Sequence, residues 1–191
     1  MIGNDIIDLN VAKINSRWQE QRFLDKLFTQ EEQQFILNDD CRYQNIWRLW
    51  SMKESAYKIK SRNLRLSIFN PKSLRCEITS ETSGTVAFDN YTVSTTTENN
   101  SNIIYTTAHL QGIYQTTEYF ELKQLSQSYQ SEQLKKKAIQ AFGQLKSVSE
   151  KDISIEKDDF RVPKFFINQK AQANFLTLTH HGNYGGFAIS Y

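Results

Sequence analysis

The chain has 191 residues, enough for one well-cored domain or two small ones and too few for a large multidomain enzyme. Its composition is 39% hydrophobic and 23% charged with 12 Phe, 9 Tyr and 3 Trp, which excludes a disordered chain. Net charge is only +2, only Cys41 and Cys76 are present, no apolar run approaches a membrane span and MIGNDIIDLN is no signal peptide, so the expectation is a reduced, cytoplasmic protein.

Ile2 to Ile7 is a short apolar run and predicts a buried first strand. Residues 9–37 read as helix in pieces, from the spacing of Leu9, Ala12 and Ile14 and then of Trp18, Phe23, Leu24, Leu27 and Phe28. Thr29 followed by Glu32 predicts a capping box ahead of Phe35 and Ile36. The strongest helix signal covers 40–62, where Ile46, Trp47, Trp50, Ala56 and Tyr57 form an apolar stripe. Asn70-Pro71 closes the following segment. Residues 74–121 are rich in Thr, Tyr, Val and Ile and are broken at Ser83-Gly84, Asp89-Asn90 and Asn99-Asn100, which predicts a β-meander of about four strands. An amphipathic helix follows over 126–146, ending near Gly143, and 151–191 returns to strand through DISIEK, KFFI, FLTLTH and GGFAISY. No internal repeat is visible. The order predicts an α+β fold with helices packed on an antiparallel sheet.

Three patterns carry chemistry. In Gly3-Asn4-Asp5-Ile6-Ile7-Asp8 an acid, Asp5, sits inside an apolar strand, where a carboxylate is costly unless it is paired or binds a metal. Asp8 falls where the strand should end and suits a helix N-cap or turn. In Trp50-Ser51-Met52-Lys53-Glu54-Ser55-Ala56-Tyr57-Lys58, Glu54 and Lys58 share one helix face. They read either as a surface ion pair or as a hard-cation ligand beside a phosphate contact. Seven basic residues from Arg42 to Arg65 (with Arg48, Lys53, Lys58, Lys60 and Arg62) surround Glu54, the only acid there, which suits an anionic ligand or an ordinary solvated face. In Leu176-Thr177-Leu178-Thr179-His180-His181-Gly182 the adjacent histidines point to opposite faces of a strand and cannot chelate one zinc together.

GNDIIDL, FTQEE, WSMKESAYK and LTLTHHGNYGGFAI, in that order, resemble the 4′-phosphopantetheinyl transferase superfamily. The KES-xx-K core is the most specific piece and the G-x-D-I segment the next. The stretch before the His strand resembles the family's Gly-x-Pro segment, but Arg161-Val162-Pro163 lacks the glycine. The motif order, with Asp5 first and His180 near the end, is closest to the holo-acyl-carrier-protein synthases, which assemble as trimers with sites between subunits. Ile7 stands where the larger surfactin-synthetase-type enzymes carry a third metal acid. The resemblance implies one transferase-like domain over 1–191, with 80–150 as an insertion of strands and a helix.

It further implies transfer of 4′-phosphopantetheine from coenzyme A to a serine of an acyl or peptidyl carrier protein, Mg²⁺-dependent, releasing 3′,5′-ADP. Asp5 and Glu54 match the metal carboxylates, with Asp8 in support. Lys58 matches the lysine that contacts coenzyme A phosphate, with Lys53 a further cofactor-side expectation. His180 matches the histidine near the nucleotide, while His181 is extra to the pattern, and which of the two faces the ligand stays open. Glu54 is one candidate to relay the serine proton. Arg17, Arg22 and Lys26 in the early helices are expected to dock an acidic carrier. The carrier's pathway, fatty-acid, polyketide or peptide, is left open. Two other classes stand beside this reading: a non-enzymatic carrier-protein or nucleotide-binding module, and nucleic-acid binding through the basic run, which lacks a matching motif. No nucleic acid and no membrane is expected as a partner.

Overall fold

A computed structural model of the protein describes residues 1–64, 68–110 and 112–191; Arg65 of the basic run lies outside them. The chain starts with β1 (Ile2–Asp8) and then forms α1 (Leu9–Asn15), α2 (Gln21–Leu27) and α3 (Gln30–Leu37). The capping box is present, with the Thr29 hydroxyl accepting from the Glu32 N–H and the Glu32 carboxylate from the Thr29 N–H. The long α4 (Arg42–Leu64) follows, then β2 (Arg75–Ile78), β3 (Ser83–Phe88), β4 (Tyr91–Asn99), β5 (Ile103–His109) and β6 (Gln115–Glu121). The second long helix, α5 (Gln127–Lys146), precedes β7 (Ile153–Lys157), β8 (Pro163–Ile167), β9 (Lys170–His181) and β10 (Tyr184–Ser190). α5 runs through buried Gly143 and ends at Ser147, whose φ is +53°.

The strands form two antiparallel sheets rather than one. The first has the order β1-β5-β4-β3-β2 and the second β6-β10-β9-β8-β7. Each half of the chain therefore runs strand, long helix, four-strand meander, with the last strand inserted beside the first. This duplication of topology has no counterpart in the sequence, which shows no repeat. Residues 80–150 serve both halves: β5 is the neighbour of β1 and β6 the neighbour of β10.

Each sheet buries its own helix. Met52, Ala56 and Ile59 of α4 pack with Val86, Phe88, Val93 and Ile104 of the first sheet. Ala138 and Phe142 of α5 pack with Phe165, Leu176, Phe187 and Ile189 of the second, and the Phe142 and Phe165 rings stack 3.9 Å apart. A third small core of Ile6, Ile103 and Tyr105, with Tyr119 and Tyr184 against it, fills the seam between the halves. Burial of these apolar surfaces is the main stabilising term. Among the described residues no helix is long and apolar enough to cross a membrane.

Gly3 sets how closely α4 lies on β1: a Cβ there would stand 1.9 Å from the Ser55 carbonyl oxygen. The glycine of the G-x-D segment is thus a packing requirement that brings Glu54 and Lys58 down onto the strand carrying Asp5.

Candidate active site

The seam between the halves is where β1 lies alongside the second half of β9. β8 pairs with β9 only as far as Phe175, so the stretch from Leu176 onward leaves an edge facing β1. Two cations of α4, one turn apart, bridge the two strands. Lys58 Nζ donates to the carbonyls of Asn4 (2.5 Å) and Leu178 (3.2 Å). Arg62 donates to the carbonyls of Ile2 (2.9 Å) and Leu176 (2.7 Å). Residues two apart on a strand present carbonyls to the same edge, and a helical i, i+4 pair matches that repeat. Inside the seam Thr177 donates to Asn4 Oδ1 at 2.9 Å, Asn4 Nδ2 donates to the Tyr105 hydroxyl at 3.2 Å, and Tyr105 donates to the Phe187 carbonyl at 2.8 Å. Both threonines of the Leu-Thr alternation, Thr177 and Thr179, are therefore buried with Leu176, while Leu178 is half-buried.

Asp5 stands at the end of this seam. Its Oδ1 accepts from Thr179 Oγ1 at 3.2 Å, while its Oδ2 is buried without a hydrogen-bond partner. Burial raises the Asp5 carboxyl above its usual range, although Lys58 opposes this. Burial first, and the Asp5 charge second, push Glu54 up to about 7. Burial also lowers the Lys58 ammonium, which the two carboxylates oppose. Two coupled carboxylates, one with an orphaned oxygen, fit a hard divalent cation, since such an ion takes oxygen ligands and relieves the desolvation. Among the described residues no group of three or more His, Cys, Asp or Glu is placed to hold a metal. Among the described residues the cleft has two carboxylates, Asp5 and Glu54, so a cation there would need other oxygens to complete its shell.

Two clefts meet at His180. One, of about 260 Å³, is lined by Asp5, Glu54, Trp47, Trp50, His180 and His181. The other, of about 390 Å³, is lined by Lys58, Arg62, Lys135, Lys157, Arg161 and His180. The first is carboxylate-bearing and part aromatic, the second strongly cationic. His180 is exposed overall, but desolvation of the covered part of its ring, and then the Lys58 charge, hold its pKa below the ordinary value. Arg161 adopts φ +61° in the stretch that lacks the family's glycine.

Asp5, Glu54, Lys58, His180 and His181 are brought together. Lys53 is not. It is 0% exposed and its ammonium donates to Glu32 Oε1 (2.8 Å), to the Pro71 carbonyl (2.9 Å) and to the Leu74 carbonyl. All three donors are used inside the protein, so the expectation that Lys53 meets coenzyme A is corrected: one residue before Glu54, it is turned about 100° around the helix and its ammonium is sealed against Glu32. Asp8 caps α1 through the N–H groups of Asn10 and Val11, the N-cap role its position suggested. Arg17 pairs with Glu20 at 3.7 Å on the surface, and Arg22 and Lys26 are exposed on α2. These three line neither cleft. Sequence reading missed Thr179 as the partner of Asp5, Arg62 as the second bridge, and Lys135, Lys157 and Arg161 as walls. The i, i+4 spacing of Lys58 and Arg62 was a usable signal, whereas the others converge only through the fold.

The sequence model of the 4′-phosphopantetheinyl transferase superfamily (ACPS) matches residues 1–117. The chain belongs to this superfamily, and the match takes in β1, α4 and the whole first sheet. Among solved structures it is similar to the holo-[acyl-carrier-protein] synthase (AcpS) of Thermotoga maritima, at 11% identity and TM-score 0.41, covering 85% of this chain and 83% of that one. No curated protein sequence matches.

Proposed function

We propose that the protein transfers 4′-phosphopantetheine from coenzyme A to a serine of an acyl or peptidyl carrier protein and releases 3′,5′-ADP. The observation that carries this reading is the junction of a two-carboxylate cleft with a cationic cleft at His180, in a member of a phosphopantetheinyl transferase superfamily. The cationic cleft suits the phosphorylated nucleotide half of coenzyme A. Lys135, Lys157 and Arg161 face its phosphates, and Lys58, with one ammonium donor left after its two carbonyl bonds, faces the pyrophosphate. Asp5 and Glu54 would hold Mg²⁺, which would offset charge on the pyrophosphate.

The serine oxygen forms the new bond to the β-phosphorus as the bond to the oxygen of 3′,5′-ADP breaks, and the serine proton goes to Glu54. Without metal the Glu54 carboxyl is pushed up to about 7 by burial and the Asp5 charge; a cation at the site would lower it and favour the ionised form that accepts a proton. Arg17, which follows the cleft-lining Ser16, and Arg22 and Lys26, exposed on α2, are the docking candidates for an acidic carrier. Asp5, Glu54, Lys58 and His180 all come from one chain, which favours a site complete within a monomer over one shared in a trimer. The two free thiols, Cys41 and Cys76, suit the cytoplasm.

The test is incubation with coenzyme A, Mg²⁺ and a panel of apo-carrier proteins. A mass gain of one phosphopantetheine on at least one carrier, with 3′,5′-ADP released, is expected. Tight coenzyme A binding without any transfer would instead support the non-enzymatic binding module.

A further inference from the structure

His181 stands in a different relation to the site from His180. Its Nδ1 accepts the backbone N–H of Asp8 at 2.9 Å, so the neutral ring carries its proton on Nε2. The Asp8 side chain, 1% exposed, is used at both oxygens. Oδ1 accepts from the N–H groups of Asn10 (3.1 Å) and Val11 (3.2 Å) at the start of α1, and Oδ2 accepts from the Asn183 N–H (3.0 Å) in the β9–β10 turn. Between these partners Gly182 has φ +54°, and a Cβ on it would lie 2.4 Å from Asp8 Oδ2. Gln130 Nε2 of α5 donates to the Gly182 carbonyl at 3.1 Å. The end of β1, the start of α1 and the turn after the histidines are thus fastened at one point.

That point governs a wall of the site. Ala12, Asn15 and Ser16, in and just after α1, line the same cleft as Asp5 and Glu54. Between them Ile14 is 82% exposed beside exposed Lys13 and Arg17, so this segment has one side on the cleft and the other open to a macromolecular partner. The cationic cleft has no lining residue from α1. We propose that His181 is a positioning residue: through the Asp8 N–H and the α1 cap it fixes the wall of the carboxylate cleft where the acceptor protein enters, and it makes no contact with coenzyme A. The kinetic part of this proposal rests on the transferase reading above; the structural part does not.

The discriminating pair is His181→Ala and His181→Asn, because the Asn Oδ1 can take the place of Nδ1 as acceptor. Amide hydrogen exchange at Asp8, Val11 and Asn183 reads the fastening directly in the full chain, calorimetry reads coenzyme A binding, and transfer assays read the carrier KM. In His181→Ala, exchange at Asp8 is expected to rise about tenfold, the equivalent of one backbone hydrogen bond. The carrier KM is expected to rise by a similar factor with coenzyme A affinity unchanged, and His181→Asn restores both. Unchanged exchange at Asp8 in His181→Ala overturns the proposal whether or not any carrier is modified. So does a His181→Asn variant that keeps Asp8 protection yet is as impaired as His181→Ala, or a loss of coenzyme A affinity equal to the rise in carrier KM. Should His181→Ala not fold, retained Asp8 protection with normal KM in His181→Asn supports the proposal, and lost protection with normal KM overturns it.

Discussion

Thr179 Oγ1 donates to Asp5 Oδ1 at 3.2 Å and so joins the carboxylate strand β1 to the histidine strand β9 across the seam of the molecule. This hydroxyl leaves the other Asp5 oxygen as the one without a partner. The arrangement fixes the carboxylate by one oxygen and leaves the other, buried, without a partner.

Replacing Thr179 by Val keeps the shape and removes the donor. The lost hydrogen bond is worth about 1–1.5 kcal/mol, so Mg²⁺ affinity should fall roughly fivefold to tenfold with little change in coenzyme A binding. Calorimetric titration of the two ligands checks this. Equal Mg²⁺ affinity in the variant would show that Thr179 does not orient Asp5.

Lys53 is a stability residue beside a site residue. Lys53→Ala leaves Glu32 buried without its cation and should cost about 3–5 kcal/mol, seen in urea unfolding. Below its melting temperature the variant should bind coenzyme A as the parent does. A selective loss of coenzyme A affinity with stability intact would return Lys53 to the site.

Arg161 carries both strain and charge. Arg161→Gly removes a left-handed-region penalty of about 1–2 kcal/mol, partly offset by the greater freedom of glycine in the unfolded chain. Stability should therefore hold or rise by about 1 kcal/mol, while coenzyme A binding weakens about fivefold through loss of a cation. Thermal unfolding and calorimetry on the same sample separate the two effects.

Glu54 gives a pH signature. Its carboxyl is raised from 4.5 to about 7 in the folded protein, so between these values the folded state binds more protons than the unfolded one. Its contribution to stability is fullest below pH 4.5 and is lost as pH rises through 7. Asp5, also raised by burial, acts with the same sign. Melting curves without metal should show a decline over this window that Glu54→Gln reduces, and Mg²⁺ should stabilise the parent more at pH 8 than at pH 5.

Much of this was legible in the sequence because it is local. The Thr29–Glu32 box, the helix around Glu54 and Lys58, the meander and the four C-terminal strands all follow from periodicity and turn residues. The missing parts are long-range. The division into two sheets depends on β5 returning beside β1 and β10 beside β6, which strand patterns do not encode. Lys53 and Lys58 look alike in a basic run, and only the packing of α4 decides that one is sealed against Glu32 while the other bridges β1 and β9. His180 and His181 are equally suggestive as letters, and the Asp8 N–H tells them apart.

In the proposed function Asp5 and Glu54 make this seam a metal-dependent transfer site. The most direct test of this is the mass of an apo-carrier after incubation with coenzyme A and saturating Mg²⁺, using the parent and Glu54→Gln side by side. The prediction is a gain of one phosphopantetheine with the parent and a rate lowered at least about a hundredfold with the variant. Undiminished transfer by folded Glu54→Gln would contradict it.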